Sequence, residues 1–407
     1  MSAPDASPPA DRAAQRNAVI AGFLGWTLDA FDFFILVMVL PAVAADFHRS
    51  IPAIALTLTA SLATRPVGAL IFGIMADRWG RRLPLMIDVI FYSIIEVLSG
   101  LAPSYAVFFA LRLLYGIGMG GEWGVGASLT MESVPPRWRG LLSGLLQEGY
   151  AIGYLLAAVV YFTVFPHWGW RVMFFIGGAP ALLSLFIRAR VKETEAWRQS
   201  RTDWRSYGRA VVTNWKRFLY IVLLMSFMNL ISHGTQDLYP TYLKIERHFD
   251  VHLVGIITIV SMVGALLGGL VFGGLSDRWG RRRSMVTAVI LAALLIPLWI
   301  MMPTVALIMA GAFMMQFMVQ GAWGVIPAHI NELSPGQLRG FFPGFAYQLG
   351  VLSASGIAYV ESRVAQTASY EVSMGIAMGV ALVGGALVIA LGPEARGHSF
   401  VKAPTST

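Results

Sequence analysis

GIMADRWGRR, residues 73–82, returns two hundred residues later as GGLSDRWGRR, residues 273–282. A second pair keeps that offset. GEWGVGASLTMESVPPRWRG, starting at Gly121, stands opposite GAWGVIPAHINELSPGQLRG, starting at Gly321, with Trp, Gly, Val, Glu, Pro and Arg-Gly in matching places. Two blocks at one spacing mark a tandem duplication, so the fold of one half is repeated by the other.

The blocks are set among apolar runs of membrane-crossing length. These fall at about 18–44, 51–76, 83–102, 105–130, 140–164 and 169–189, then at 217–243, 252–276, 284–302, 304–329, 339–361 and 371–391. Of the 407 residues 57% are hydrophobic and 13% charged, with a mean hydropathy of +0.66; a soluble globular chain is excluded. The expected fold is an all-α membrane protein of twelve transmembrane helices in two pseudo-symmetric six-helix bundles, 18–189 and 217–391. A disordered polar tail (1–17), without a cleavable signal pattern, precedes them, a basic linker (190–216) joins them and a second tail (392–407) follows.

With both termini in the cytoplasm, the inner loops and tails hold 23 of the 30 Lys and Arg, while the outer face holds Arg49, Arg171, Lys244, Arg247 and Arg363. That asymmetry satisfies the positive-inside rule; the expected location is the plasma (inner) membrane, crossed many times. The bases of the linker, with Trp197 and Trp204, predict amphipathic helices on the inner surface, which accounts for the basic balance without nucleic acid. Cysteine is absent, so disulfides and thiolate metal sites are excluded.

The duplicated loop G-x-x-x-D-R-x-G-R-R resembles the signature of the major facilitator superfamily, in both copies and across essentially the whole chain. The resemblance implies that Asp77, Arg78 and Arg81, with Asp277 and Arg281, form a cytoplasmic latch bracing one conformation, each Asp near a helix N-terminus. Glu132 with Arg139, and Glu332 with Arg339, are expected as partners in the same network.

The two halves differ where polar residues enter the spans. NLISHGTQDLYPT, residues 229–241, puts Asn229, Ser232, His233, Gln236 and Asp237 on one side of a helix. An ionisable group at the bilayer centre costs about 3 kcal/mol on insertion scales, so the stripe is either a binding and protonation site or interhelical hydrogen bonding. The repeat sets Asp29 opposite Asn229 and Asp32 opposite Ser232, at one depth. Arg65, midway along the second span, cannot discharge and needs a partner: Asp29, Asp32 or an anionic substrate. Arg112, Gly116 and Gly120 resemble the superfamily motif linked to proton coupling, with helix packing as the other reading, and Glu122 has Ala322 as its repeat mate.

Asn229, Ser232, His233, Thr235, Gln236, Asp237 and Thr241 match N-x-x-S/T-H-x-S/T-Q-D-x-x-x-T, the pattern of the lactate and pyruvate permease branch of the sialate:proton symporter family. This resemblance implies symport of a short monocarboxylate anion with a proton. Its substrate would meet Arg65, Asn229, His233, Gln236 and Asp29; the proton-coupling set would be Asp29, Asp32, Glu122, His233 and Asp237. Sialic, aromatic and dicarboxylic acids are the alternative substrates, and a transporter-like nutrient sensor the remote one. A single H-x-x-x-D pair makes no metal site. No enzymatic chemistry and no cofactor are expected, and a monomer suffices.

Overall fold

The computed structural model describes residues 12–200 and 204–400. The described residues are helical throughout, without strands, in two six-pass bundles. Eight segments are individually long and apolar enough to cross a membrane, and one of them, Pro136–Arg190, makes two passes around Gly169 (φ 71°). The other three passes are the fourth (Tyr105–Ser133), which carries Arg112, Glu122 and Glu132, and the ninth and eleventh, which are broken. Pro297 interrupts the ninth (Arg281–Leu294, then Ile296–Ile300), and the eleventh breaks at Ser355 and Gly356 between Phe342–Ala354 and Ile357–Ala365.

The duplication reaches the helix ends. Ser50 and Asp250 cap the second and eighth passes, Ile51–Trp79 and Val251–Trp279; Ser104 and Thr304 cap the fourth and tenth, Tyr105–Ser133 and Val305–Leu333. Each side-chain oxygen accepts a backbone N–H that the helix leaves unpaired. Gly80 and Gly280 sit at φ 95° and 102°, which explains the glycine in D-R-W-G-R-R: a side chain is strained where the chain reverses into the next helix. His48 and His248 also repeat a positive φ, 51° and 54°.

The N-terminal boundary and the linker differ from expectation. The first helix, Arg12–Asp46, begins six residues before the predicted span, because polar residues extend a helix beyond the bilayer, and Asn17 donates to the Arg190 carbonyl at 3.0 Å. Residues 1–11 and 401–407, parts of the two expected tails, lie outside the described residues. The linker forms two short helices, Glu195–Gln199 and Trp204–Thr213. Trp197 and Tyr207 turn into the protein instead of onto a bilayer: Trp197 Nε1 donates to the Asp77 carbonyl at 2.9 Å and Tyr207 Oη to the Asp77 carboxylate at 3.2 Å. Burial, then that carboxylate, push the Tyr207 phenol above its ordinary pKa.

Candidate functional site: a buried charge cluster above a closed cytoplasmic latch

The inner ends of the halves are locked together. Asp77 accepts from the N–H groups of Gly340 (2.6 Å) and Phe341 (3.1 Å), where the eleventh pass begins; Asp277 accepts from Gly140 (2.8 Å) and Leu141 (3.0 Å), where the fifth begins. Each signature carboxylate therefore caps a helix of the opposite half, where the unpaired N–H groups favour negative charge. Arg81 ties Asp77 (2.9 Å) to Glu132 (2.9 Å), and Arg281 ties Asp277 (2.8 Å) to Glu332 (2.9 Å). Arg78 lies over the Trp79 ring at the edge of this network.

The expected pairing of the latch acids is corrected. Glu132 meets Arg339 at 3.2 Å and Glu332 meets Arg139 at 3.6 Å, so each acid pairs across the halves and not with the arginine of its own copy. The physical reason is proximity: the backbones touch here, and a Cβ built on Gly124 would stand 2.5 Å from Gly344 Cα. Three participants carry no signal in the motif itself. Glu193 accepts from Arg81 and Arg82 N–H (2.8 and 3.2 Å), and Glu394 repeats this at Arg281 and Arg282 (3.3 and 3.0 Å). Phe400, in the expected tail, stacks on both Arg139 (3.6 Å) and Arg339 (3.8 Å). The two glutamates are 201 residues apart, one off the repeat, so their equivalence shows only in the contacts they make; Phe400 has no mate in the repeat.

Just above the latch, aromatic rings from both halves close the path inward. Trp26 packs on Tyr150 (5.5 Å between centroids) and Trp123 on Tyr347 (4.4 Å), and Trp323 meets Tyr347 edge-on (6.0 Å). One turn further along the first helix is Asp29. Its carboxylate reaches Arg65 at 3.5 Å, both side chains being nearly inaccessible. The pair is long and incomplete: Arg65 Nε and Asp29 Oδ1 have no hydrogen-bond partner among the described residues. Trp26, one turn before Asp29, meets Tyr347 of the opposite half edge-on (6.4 Å between centroids), which sets the pair beside the seam between bundles.

Asp32 does not pair with Arg65. It is fully buried, neither oxygen has a partner among the described residues, and Gly177 brings it beside Glu96. Glu96 in turn holds Arg112 at 2.6 Å, and Arg112 also donates to Ser99 (2.6 Å) and lies over Tyr115 (4.3 Å). Glu122 is buried without a partner, its carboxylate filling the space where Gly25 lacks a side chain. Asp88, which sequence reasoning missed, is a further buried, unpartnered acid.

In the C-terminal half the polar stripe divides. The seventh pass is helical over Trp215–Gln236 and resumes at Tyr239–Ile245. On one edge His233 Nδ1 and Asp237 lie 3.2 Å apart with about two fifths of each side chain exposed. On the other edge Gln236 bonds Ser232 (3.2 Å) and Gln316 (3.1 Å), and Gln320 bonds Ser232 (3.3 Å), all within the bundle. Asn229 is buried and bonds the Met225 carbonyl at 2.8 Å. The five residues span about 140° of one side of the helix, and the tenth pass takes the edge that reaches it, so the stripe is divided between two surroundings. A cavity of about 30 Å³, lined by Thr235, Gln236, Ser261 and Gln316, adjoins this network. Behind His233 and Asp237 sits Glu361, buried, unpartnered and against Gly234. Its signal was an acid near the end of an apolar run, indistinguishable in sequence from a loop residue. Among the described residues no group of acids and histidines is arranged to hold a metal.

A polytopic helical protein with duplicated halves, a crossed inner latch and charge buried at the seam has the architecture of an alternating-access carrier. The profile of the Major Facilitator Superfamily matches residues 22–250 and 227–406, and the chain belongs to that family. It is a membrane transporter and not an enzyme. It is similar to a probable 4-methylmuconolactone transporter of Cupriavidus pinatubonensis, with 30% identity covering 94% of this chain and 91% of that one. A carboxylic acid transporter protein homolog of Saccharomyces cerevisiae is 28% identical over 86% of this chain, which spans only 61% of the yeast protein. The sialic acid transporter NanX of Escherichia coli is 29% identical over 83% of this chain and 84% of its own. Among solved structures, the proton:xylose symporter XylE superposes with a TM-score of 0.77 at 18% identity, covering 95% of this chain and 98% of that one, a likeness of fold.

Proposed function

We propose that the chain is a proton-coupled symporter of short monocarboxylates such as lactate and pyruvate, working by alternating access in the plasma membrane as a monomer. The observation that carries this reading is the Arg65–Asp29 pair: buried at the seam, 3.5 Å apart, with Nε and Oδ1 unpartnered. A guanidinium left short of partners in an apolar site gains most from a bidentate acceptor, and a carboxylate is one. The substrate carboxylate displaces Asp29 from Arg65, and Asp29 then holds the proton. Asp32, Glu122 and Asp237 are the other acids available to carry it, with His233 tuning Asp237. Moving an anion against an inside-negative potential costs about 2.3 kcal/mol per 100 mV, and the added proton cancels that charge.

Asn229 and Gln236, committed to bonds inside the bundle, contact substrate only if those bonds exchange. A second reading, a larger or dicarboxylic acid, is favoured by three relatives whose names concern a methylmuconolactone, sialic acid and cis,cis-muconate. Against the dicarboxylate stands the state of Arg112, the other arginine of the buried cluster, which is held by Glu96 and Ser99. The experiment is competition of labelled lactate uptake in proteoliposomes by a panel of two- to nine-carbon acids. Inhibition confined to short monoacids supports the first reading; inhibition by muconate or sialic acid but not pyruvate replaces it with the second.

A further inference from the structure

We propose that the cytoplasmic rim of the C-terminal half carries a binding site for the phosphate headgroup of an anionic phospholipid. A pocket of about 620 Å³ opens there, lined by Arg278, Trp279, Arg282, Arg283, Val286 and Arg396 among others. Four guanidiniums and no carboxylate line it. Glu394, the neighbouring acid, is turned to the N–H groups of Arg281 and Arg282 (3.3 and 3.0 Å). Arg282 donates to the Gly392 carbonyl at 3.0 Å and Arg396 to the Arg278 carbonyl. Those bonds fix Arg282 and Arg396 at the cavity through neutral carbonyls, and a phosphate oxygen set is what a cluster of planar donors recognises.

A lipid is favoured over a soluble anion by what adjoins the pocket. Ile290, Leu291 and Leu294 of the ninth pass and Val383, Leu387 and Leu391 of the twelfth, Tyr370–Leu391, are exposed, giving an apolar surface for acyl chains. Trp279, 53% exposed, stands at the boundary, where amphipathic rings settle.

The duplication supplies the comparison that topology alone does not. Positive-inside topology asks for bases on this face, not for four around one cavity. In the N-terminal half Leu83 stands at the position of Arg283. Counting from the equivalent glutamates, Glu193 and Glu394, Glu195 stands at that of Arg396.

The test is native mass spectrometry of the purified full-length chain titrated with phosphatidylglycerol, with phosphatidylcholine of the same acyl chains, and with inorganic phosphate. Phosphatidylglycerol is expected to bind preferentially. Arg283→Leu with Arg396→Glu, both at exposed positions, copies the N-terminal half and should weaken phosphatidylglycerol binding about tenfold or more and leave phosphatidylcholine unchanged. Arg188→Leu with Arg190→Glu removes matching charge elsewhere on the face and should leave both lipids unchanged. Equal retention of the two lipids overturns the site, as does a loss in the control variant equal to that in the pocket variant. Displacement of phosphatidylglycerol by millimolar phosphate overturns the lipid and assigns the pocket to a soluble anion.

Discussion

The two halves share a frame and divide the chemistry. The N-terminal bundle buries Asp29, Asp32, Asp88, Glu96 and Glu122 with Arg65 and Arg112, most of these acids without a full set of partners. The C-terminal bundle offers chiefly amides and hydroxyls bonded to one another, leaves the His233 and Asp237 couple half exposed, and sets a buried acid, Glu361, behind that couple. Duplication fixes where a polar residue points; divergence decides whether it is charged. The lesson is that charge held in reserve is concentrated on one side of the seam, and the other side frames it.

The sharpest way to break that comparison is Arg65→Ala. If the N-terminal charge cluster receives the substrate, uptake should fall at least about thirtyfold, the scale for stripping one partner from a buried charged contact, with the protein still monodisperse by gel filtration. Arg65→Lys should recover little, since an ammonium lacks the planar fork. Retained uptake in both would shift the anion site to the C-terminal half.

Next come the latch acids, where the halves should behave alike. Glu132→Gln and Glu332→Gln each leave two buried arginines short of charge, a change of about 3 kcal/mol or more for a buried pair. Distances between spin labels on the inner ends should lengthen in both variants. Gly124→Val should act in the same direction through sterics, because Gly344 Cα occupies the space. Lengthening in only one of the acid variants would mean the crossed pairs are not equivalent.

A smaller effect is expected at His233→Gln. The pair with Asp237 is partly solvated, and such pairs are worth up to about 1 kcal/mol, so KM should rise no more than about fivefold. A loss as deep as that of Arg65→Ala would place the histidine at the centre of binding.

The smallest difference lies at the outer caps. Asp250 accepts two N–H bonds (2.8 and 3.1 Å) where Ser50 accepts one at 3.4 Å, so Asp250→Ala should lower Tm more than Ser50→Ala. The Leu253 N–H leads in holding the Asp250 carboxyl below the ordinary aspartate range. That excess stability is therefore present at neutral pH and is lost as the pH falls through the lowered pKa. Equal Tm changes at pH 7 would contradict it.

The passes, the twofold frame and the latch were legible because their signals are local: apolar length, a repeated block, a charge motif. The partners within the latch were not, because identical copies offer Glu132 the same arginine in cis and in trans, and only the docking of backbones at Gly124 and Gly344 chooses. The division of the seventh-pass stripe was equally hidden. A helical wheel gives direction but not the neighbour, and Gln316 and Gln320 lie eighty or more residues away in sequence. Phe400 and Glu361 had no pattern to betray them, since each acts through a contact made by another half or another pass.

The most direct measurement is uptake of labelled lactate into proteoliposomes with the pH gradient and the membrane potential set independently. The account predicts accumulation driven by an inward proton gradient and indifferent to a clamped potential, because anion and proton move as a neutral pair. Uptake that ignored the gradient, or that followed the potential alone, would contradict it.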